Sequence, residues 1–95
     1  MQVVITEEAE QSLDEIIDYL QKNWNQTVVN NFIDNINTTI SRILHFPNSF
    51  PPSAYVNAKR ALISKQVVML FRIENNTLIV LLFWDARQNP DKINL

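Results

Sequence analysis

The sequence predicts an α+β domain in which an N-terminal strand and an antiparallel helical hairpin precede a three-stranded meander (β-α-α-β-β-β). Three observations predict this class. Apolar residues recur at helical spacing in the first half of the chain, they recur at a period of two from residue 60 onward, and a proline-rich loop at residues 47–58 separates the two patterns. Ninety-five residues build one hydrophobic core, so residues 1–95 are expected to form a single domain.

The chain begins with a predicted short strand and a first helix. Val3–Ile5 is a run of aliphatic residues, and Thr6 can cap the helix that follows it. Glu7 and Glu8 are favourable at the positive end of the helix dipole. The apolar stripe of this helix, which should face the core, consists of Ala9, Leu13, Ile16, Ile17, Leu20 and Trp24.

A second helix is predicted from Gln26 to His45, and Pro47 ends it. Its apolar stripe consists of Val29, Phe32, Ile33, Ile36, Ile40, Ile43 and Leu44. Because a short connection joins two amphipathic helices, we expect them to pair as an antiparallel hairpin and to cover one face of a small, mainly antiparallel sheet.

The second half of the chain predicts three strands, Arg60–Ser64, Val67–Glu74 and Thr77–Trp84. Asn75 and Asn76 tolerate the left-handed backbone that a two-residue type I′ turn requires, and the chain has no glycine to take this role. With this turn, the face that the helices cover carries Val67, Met69, Phe71, Ile73, Leu78, Val80, Leu82 and Trp84. The opposite face, which we expect to be open or to be completed by something else, carries Val68, Leu70, Arg72, Glu74, Thr77, Ile79, Leu81 and Phe83.

Composition excludes several kinds of site. The absence of cysteine excludes disulfides, thiolate zinc sites and cysteine nucleophiles, and the absence of glycine excludes a P-loop or a dinucleotide fingerprint. No set of residues assembles a Ser/His/Asp triad, a pair of catalytic carboxylates or a metal site, so we expect no metal and no cofactor. No apolar run spans a bilayer and the N-terminus is unlike a signal peptide, so we expect a cytoplasmic protein.

Charge divides the chain into two halves. Residues 1–50 contain two Lys or Arg against seven Asp or Glu, a balance of −5, whereas residues 51–95 contain six against three, a balance of +3. An anionic partner should therefore meet the second half, although the net charge of −2 argues against indiscriminate nucleic-acid binding. The candidate functional cations are Lys59, Arg60, Arg72 and Arg87, which suit phosphate binding better than proton transfer.

Each candidate cation also has an ordinary structural role open to it. Arg72 can pair with Glu74, and Lys59-Arg60 can protect a strand edge against aggregation. Arg87 follows the last predicted strand. It belongs either to a solvated terminus or to a working surface at the rim of the sheet.

The order of these elements resembles the RelE/ParE superfamily of toxins from type II toxin–antitoxin systems. The resemblance is carried by Lys59-Arg60-Ala61-Leu62 at the start of the meander, by the hairpin VVMLFRIENNTLIVLLF, and by the ending DARQNP at Asp85–Pro90. It implies a small toxin that a cognate antitoxin neutralises. RelE-like members cleave mRNA in the ribosome with basic residues on the sheet, whereas ParE-like members lack much of that set and are associated with poisoning DNA gyrase.

The match to the ribonuclease pattern is partial. Val68 stands where RelE-like enzymes carry an arginine on the third strand, and no Tyr or His follows Arg87. The resemblance therefore favours the ParE-like branch. The alternatives are a ribosome-dependent mRNA endonuclease that uses the four candidate cations, and a degenerate member that only binds antitoxin.

The open sheet face is the predicted antitoxin-binding surface, because contiguous apolar patches on a protein surface usually mark interfaces. Its predicted contact residues are Val68, Leu70, Arg72, Ile79, Leu81 and Phe83. Self-association into a homodimer through the same patch is the competing explanation, and a toxin–antitoxin hetero-oligomer is the other possible assembly.

Overall fold

The elements follow one another in the predicted order. The structure, a computed structural model, describes residues 1–54 and 57–85. Its elements are β1 (Gln2–Ile5), α1 (Glu7–Asn23), α2 (Gln26–His45), a 3-10 turn (Pro47–Ser49), β2 (Lys59–Leu62), β3 (Val67–Glu74) and β4 (Thr77–Asp85). The predicted fold class is confirmed. In the part of the chain that is described, no helix is long and apolar enough to cross a membrane.

The four strands form one mixed sheet in the order β1-β4-β3-β2. β2, β3 and β4 are antiparallel neighbours, and β1 lies parallel to β4 at one edge of the sheet. A parallel pair cannot be joined by a tight turn, so the chain must cross between the two strands. The helical hairpin is part of this connection, and it packs on one face of the sheet.

Side-chain caps fix where both helices begin. Thr6 Oγ1 accepts a hydrogen bond from the Ala9 backbone N–H at 3.1 Å, and Asn25 Oδ1 accepts one from the Val28 N–H at 3.0 Å. Each cap satisfies a donor that the first helical turn leaves unpaired. Since α1 ends at Asn23 and α2 begins at Gln26, only two residues connect the helices, as the hairpin requires.

The core lies between the two helices and one sheet face. Its fully buried members include Ile16, Val29, Ile43, Phe71 and Val80. The apolar stripes of the helices are confirmed in outline, with two exceptions. Ile33 was predicted in the stripe of α2 but is 39% exposed. Trp24 was predicted in the stripe but is 61% exposed, because the helix ends before it and its backbone leaves the helical conformation.

The β3–β4 turn has the predicted chemistry. Asn75 and Asn76 have φ angles of 49° and 60°, so both residues adopt the left-handed conformation that a type I′ turn needs. Asparagine tolerates this region better than other non-glycine residues do. The prediction of a two-residue Asn-Asn turn is confirmed.

A β-bulge changes the faces of β4 beyond the turn. Phe71 pairs with Val80, but Leu70 pairs with Leu82, so Leu81 is an extra residue with no partner on β3. Beyond this point the predicted faces of β4 are wrong. Phe83 lies opposite Met69 and is buried in the core at 2% exposure, so it does not belong to the open face. Leu82 and Trp84, predicted in the core, lie on the opposite face.

The bulge occurs where β4 changes neighbours. β1 ends at Ile5, and beyond it two hydroxyls of the N-terminal helix region take over its role beside β4. Thr6 Oγ1 donates a hydrogen bond to the Leu81 carbonyl at 3.2 Å, and Ser12 Oγ accepts one from the Phe83 N–H at 3.0 Å. These bonds satisfy β4 backbone groups that β1 is too short to reach.

Candidate functional site

The open sheet face is the side of the sheet that the helical hairpin leaves uncovered. Strand register places Val68, Leu70, Arg72, Ile79, Leu82 and Trp84 on it from the two inner strands. The edge strands add Val4 from β1 and Arg60 and Leu62 from β2. It is mainly apolar, with two cations on its β2 side.

Burial on this face is uneven. Leu62 is 64% exposed and Val4 is 46% exposed, whereas Leu70 is fully buried at 0% exposure. Leu70 sits on an inner strand with the larger Arg60 and with Leu82 as its cross-strand partners. The prediction that Leu70 forms part of an exposed patch is therefore wrong, although its face is as predicted.

The other predicted contact residues have different outcomes. Val68, Arg72 and Ile79 lie on the open sheet face and are half-buried. Leu81 is the half-buried bulge residue, and Phe83 belongs to the core. Sequence reasoning missed Leu82 and Trp84, because strict alternation along β4 has no signal for an inserted residue.

The candidate cations are divided between the two faces. Arg60 and Arg72 lie on the open sheet face, where Arg60 pairs with Leu70, two residues before Arg72 on β3. Lys59 pairs with Phe71 and so lies on the helix side, where its Nζ donates a hydrogen bond to the Pro47 carbonyl at 3.0 Å. Arg87 lies outside the described residues.

Arg72 forms the predicted ion pair with Glu74. Its Nε lies 3.6 Å from Glu74 Oε1, and the two side chains are 39% and 56% exposed. That separation exceeds hydrogen-bonding distance, and the buried Nε has no hydrogen-bond partner among residues 1–54 and 57–85. Exposed ion pairs of this kind are weak, so Arg72 remains available to a stronger anionic partner.

An edge groove of about 660 Å³ opens beside these cations. β2 begins with Lys59 opposite Phe71, so the last three residues of β3, Arg72–Glu74, have no β2 neighbour. The proline loop lies beside the resulting gap. The groove is lined by Pro47, Pro52, Asn57, Lys59, Arg72 and Ile73, among others.

A second groove, of about 380 Å³, lies between the tip of the helical hairpin and the β2–β3 turn. Leu20, Val28 and Phe32 form its apolar wall, and the exposed Trp24 and Lys65 stand at its rim. Exposed tryptophan beside an apolar groove is typical of a protein interface.

The end of the sheet away from the turn is apolar on the open sheet face, among the described residues. There Val68 faces Trp84, whose buried indole N–H has no hydrogen-bond partner within the described ranges. Within the same ranges, no three His, Cys, Asp or Glu side chains come together in a way that could hold a metal.

One family matches almost the whole chain. The sequence model for "ParE toxin of type II toxin-antitoxin system, parDE" matches residues 3–90. The chain belongs to the ParE toxin family. It is therefore the toxin of a type II toxin–antitoxin system, as the resemblance of its motifs to the RelE/ParE superfamily predicted.

Solved structures share the fold of this ParE-family toxin at low sequence identity. A chain of the chromosomal ParDE system from P. aeruginosa is 15% identical with a TM-score of 0.74, and the match covers 90% of this chain and 95% of that one. A YoeB/ParE toxin from Agrobacterium tumefaciens is 14% identical with a TM-score of 0.64, covering 90% and 98%.

A more distant match comes from the E. coli DinJ-YafQ complex. It is 7% identical with a TM-score of 0.59, and it covers 93% of this chain and 96% of that chain. At such identities the likeness shows the fold alone. No curated protein matches the ParE-family chain in sequence.

Proposed function

We propose that this toxin stops growth by binding DNA gyrase rather than by cleaving mRNA, and that a cognate antitoxin neutralises it. The observation that carries the proposal is the apolar pair formed by Val68 and Trp84 at the far end of the open sheet face. The RelE-like enzymes that this chain resembles carry an arginine at the position of Val68.

A ribonuclease needs groups that the described residues do not place on the open sheet face at this end. Cleavage through a 2′-hydroxyl requires a base for the hydroxyl proton and cations for the charge that develops on phosphorus. Within the described residues, Arg60 and Arg72 lie toward the turn end of the sheet, and neither replaces a cation at Val68. The geometry thus favours a toxin that acts by binding.

The rival function is a ribosome-dependent mRNA endonuclease. Arg60 and Arg72 share one sheet face, which favours phosphate binding there, and Lys59 and Arg87 complete its proposed cation set. A third possibility is a degenerate toxin that retains only antitoxin binding. These three functions predict different effects on growing cells.

The open sheet face is the proposed antitoxin surface. Its exposed and half-buried apolar residues, Leu62, Val68, Ile79, Leu82 and Trp84, would be covered by apolar residues of the partner. Arg60 and Arg72 would attract acidic residues at the rim and raise the association rate. An antitoxin partner is supported by the DinJ-YafQ structure, which shares this fold and is a complex of two proteins.

Homodimerisation through the same face would compete with the antitoxin. If the free toxin dimerises through this face, Leu62→Asp should make it monomeric in size-exclusion chromatography with light scattering. If the face is reserved for the antitoxin, the free toxin is monomeric with or without this substitution.

Induced expression tests the proposed function. Gyrase poisoning predicts filamentation and a DNA-damage response, and co-expression of the gene adjacent to the toxin gene should suppress both. Rapid arrest with mRNA cleavage would favour the endonuclease, and unimpaired growth would favour the degenerate toxin.

Arg87→Ala tests whether the segment that follows β4 takes part in toxicity. We propose that Arg87 contacts the target, so its removal should relieve toxicity while the melting temperature changes little. Lys22→Ala is the matched control, because Lys22 pairs with Asp18 on the exposed side of α1. Equal toxicity of Arg87→Ala and wild type would indicate that Arg87 belongs to an ordinary solvated terminus.

A further inference from the structure

We infer that the edge groove is a binding slot for an extended acidic segment of a partner protein, and that adjacent acidic residues of this segment contact Lys59 and Arg72 from opposite faces of the sheet. The inference deepens the proposed function and rests on it, since the antitoxin is the partner that would supply the segment. The slot shares Arg72 with the open sheet face but adds Lys59, the proline loop and the end of β3 that β2 does not reach.

The slot exists because β2 is shorter than β3. β2 begins at Lys59, whereas β3 continues for three more residues, Arg72–Glu74. Successive strand residues direct their N–H and C=O groups to alternate edges, so at least one of these three presents both groups toward the slot. An extended segment lying there would continue the line of β2 and pair with β3.

The described part of the proline loop, residues 47–54 and 57–58, makes no strand pairing with the slot edge of β3. It folds back onto β2 instead of onto β3, through hydrogen bonds from the Arg60 N–H to the Pro51 carbonyl (3.0 Å) and from the Ser53 N–H to the Ala58 carbonyl (2.8 Å). A bridge between Pro52 and Lys59 accompanies them. The loop thereby protects the outer edge of β2, while the edge of β3 beyond Lys59 stays uncovered by any described strand.

Two cations line the slot and both can accept a new anionic partner. Lys59 Nζ uses one of its three donors on the Pro47 carbonyl, which holds the ammonium at the slot, and its other two donors have no partner among the described contacts. Arg72 is engaged only by the 3.6 Å ion pair with the exposed Glu74 among the described contacts. An incoming carboxylate can displace Glu74 because an exposed pair contributes little.

The cations approach the slot from different sides, and this sets the spacing of the acids. Lys59 lies on the helix side with Phe71, and Arg72 lies on the open sheet face. Side chains of an extended segment alternate between the two faces. Acidic side chains at positions i and i+1, or i and i+3, lie on opposite faces and can therefore reach both cations. Acidic side chains at positions i and i+2 lie on the same face and can reach only one.

An acidic peptide fits this slot better than nucleic acid does. The exposed β3 backbone offers strand pairing, which a peptide can satisfy and a nucleotide chain cannot. The chain also carries a net charge of −2, so it has no general field for attracting a polyanion.

Two capped peptides of identical composition test the spacing directly. Thr-Val-Glu-Asp-Val-Thr has adjacent acids, and Thr-Glu-Val-Asp-Val-Thr has acids two apart. Titration of the whole ¹⁵N-labelled toxin with the first peptide should shift the amide resonances of Asn57, Lys59 and Ile73. The second peptide should bind about fivefold more weakly, a difference of about 1 kcal/mol, which is the upper range for one partly exposed ion pair.

Charge-removing variants locate the slot. Lys59→Gln and Arg72→Gln should each abolish the preference for adjacent acids, whereas Lys65→Gln, in the other groove, should keep it. A well-dispersed amide spectrum shows that a variant is folded. If Lys59→Gln does not fold, Arg72→Gln alone tests the inference. Equal binding of the two peptides, or shifts centred away from the slot, would overturn the inference. So would tighter binding of a thymidine hexanucleotide at the same amides.

The peptide titration tests the slot independently of the growth assay that tests the proposed function. If the toxin arrests growth and its antitoxin binds, but the two peptides bind alike, the slot is wrong and the proposed function stands. If expression leaves growth unimpaired while adjacent acids are still preferred, the slot stands and the proposed function is wrong.

Discussion

Replacing Thr6 with valine removes one hydroxyl and keeps the β-branched shape of the side chain. That hydroxyl accepts the Ala9 N–H at 3.1 Å as the cap of α1 and donates to the Leu81 carbonyl at 3.2 Å beside the bulge. Loss of a cap costs about 1 kcal/mol, and loss of a second hydrogen bond in a partly buried place costs about 1 kcal/mol more. Thr6→Val should therefore destabilise the domain by about 2 kcal/mol.

Urea unfolding followed by circular dichroism measures this loss. In thermal unfolding followed by the same signal, a change of about 2 kcal/mol lowers the melting temperature by roughly 8–16 °C in a domain of this size. Thr6→Ser keeps the hydroxyl and should lie close to wild type, and Thr38→Val, on the exposed side of α2, should change stability by less than about 0.5 kcal/mol. Equal stability of Thr6→Val and Thr6→Ser would refute the role of this hydroxyl in joining α1 to β4.

Three further predictions follow from burial and backbone conformation. Phe83→Ala should destabilise the domain by about 3–5 kcal/mol in the same unfolding assay, because Phe83 is buried in the core. Phe46→Ala is the control, since Phe46 is 64% exposed and its loss should change stability by less than about 0.5 kcal/mol. Similar values for both variants would contradict the bulge. Asn76→Val should cost about 1–2 kcal/mol because φ is 60°, and Asn76→Gly should cost nothing; equal effects would argue against the type I′ turn. Leu62→Asp should leave folding intact and weaken antitoxin binding in calorimetry, whereas Leu70→Asp should unfold the domain, since Leu70 is fully buried; unaltered affinity of Leu62→Asp would place the antitoxin elsewhere.

Local chemistry was sufficient to predict most of the fold. Thr6 and the Asn75-Asn76 pair act within a few residues of themselves, so their cap and turn could be recognised from the sequence. The helical stripes were equally clear, because periodicity follows directly from helix geometry. The parallel pairing of β1 with β4 was not predictable, since it depends on contacts between distant parts of the chain.

The candidate site was predicted less well, and the reason lies in β4. The run Leu81, Leu82, Phe83 and Trp84 is apolar throughout, so no change of polarity marks the inserted residue. The bulge lies beside a contact with α1, where Ser12 Oγ accepts a hydrogen bond from the Phe83 N–H at 3.0 Å. Partners 71 positions apart leave no signal in a local pattern, and so Phe83 was assigned to the wrong face.

A gyrase assay with purified protein tests the central claim most directly. Relaxed plasmid, DNA gyrase and ATP are incubated with the toxin, and the products are separated after detergent and protease treatment. The proposed function predicts blocked supercoiling and accumulation of linear plasmid, both reversed by stoichiometric antitoxin. Unchanged supercoiling, together with codon-positioned cleavage of mRNA on programmed ribosomes by the same preparation, would contradict it and establish the endonuclease instead.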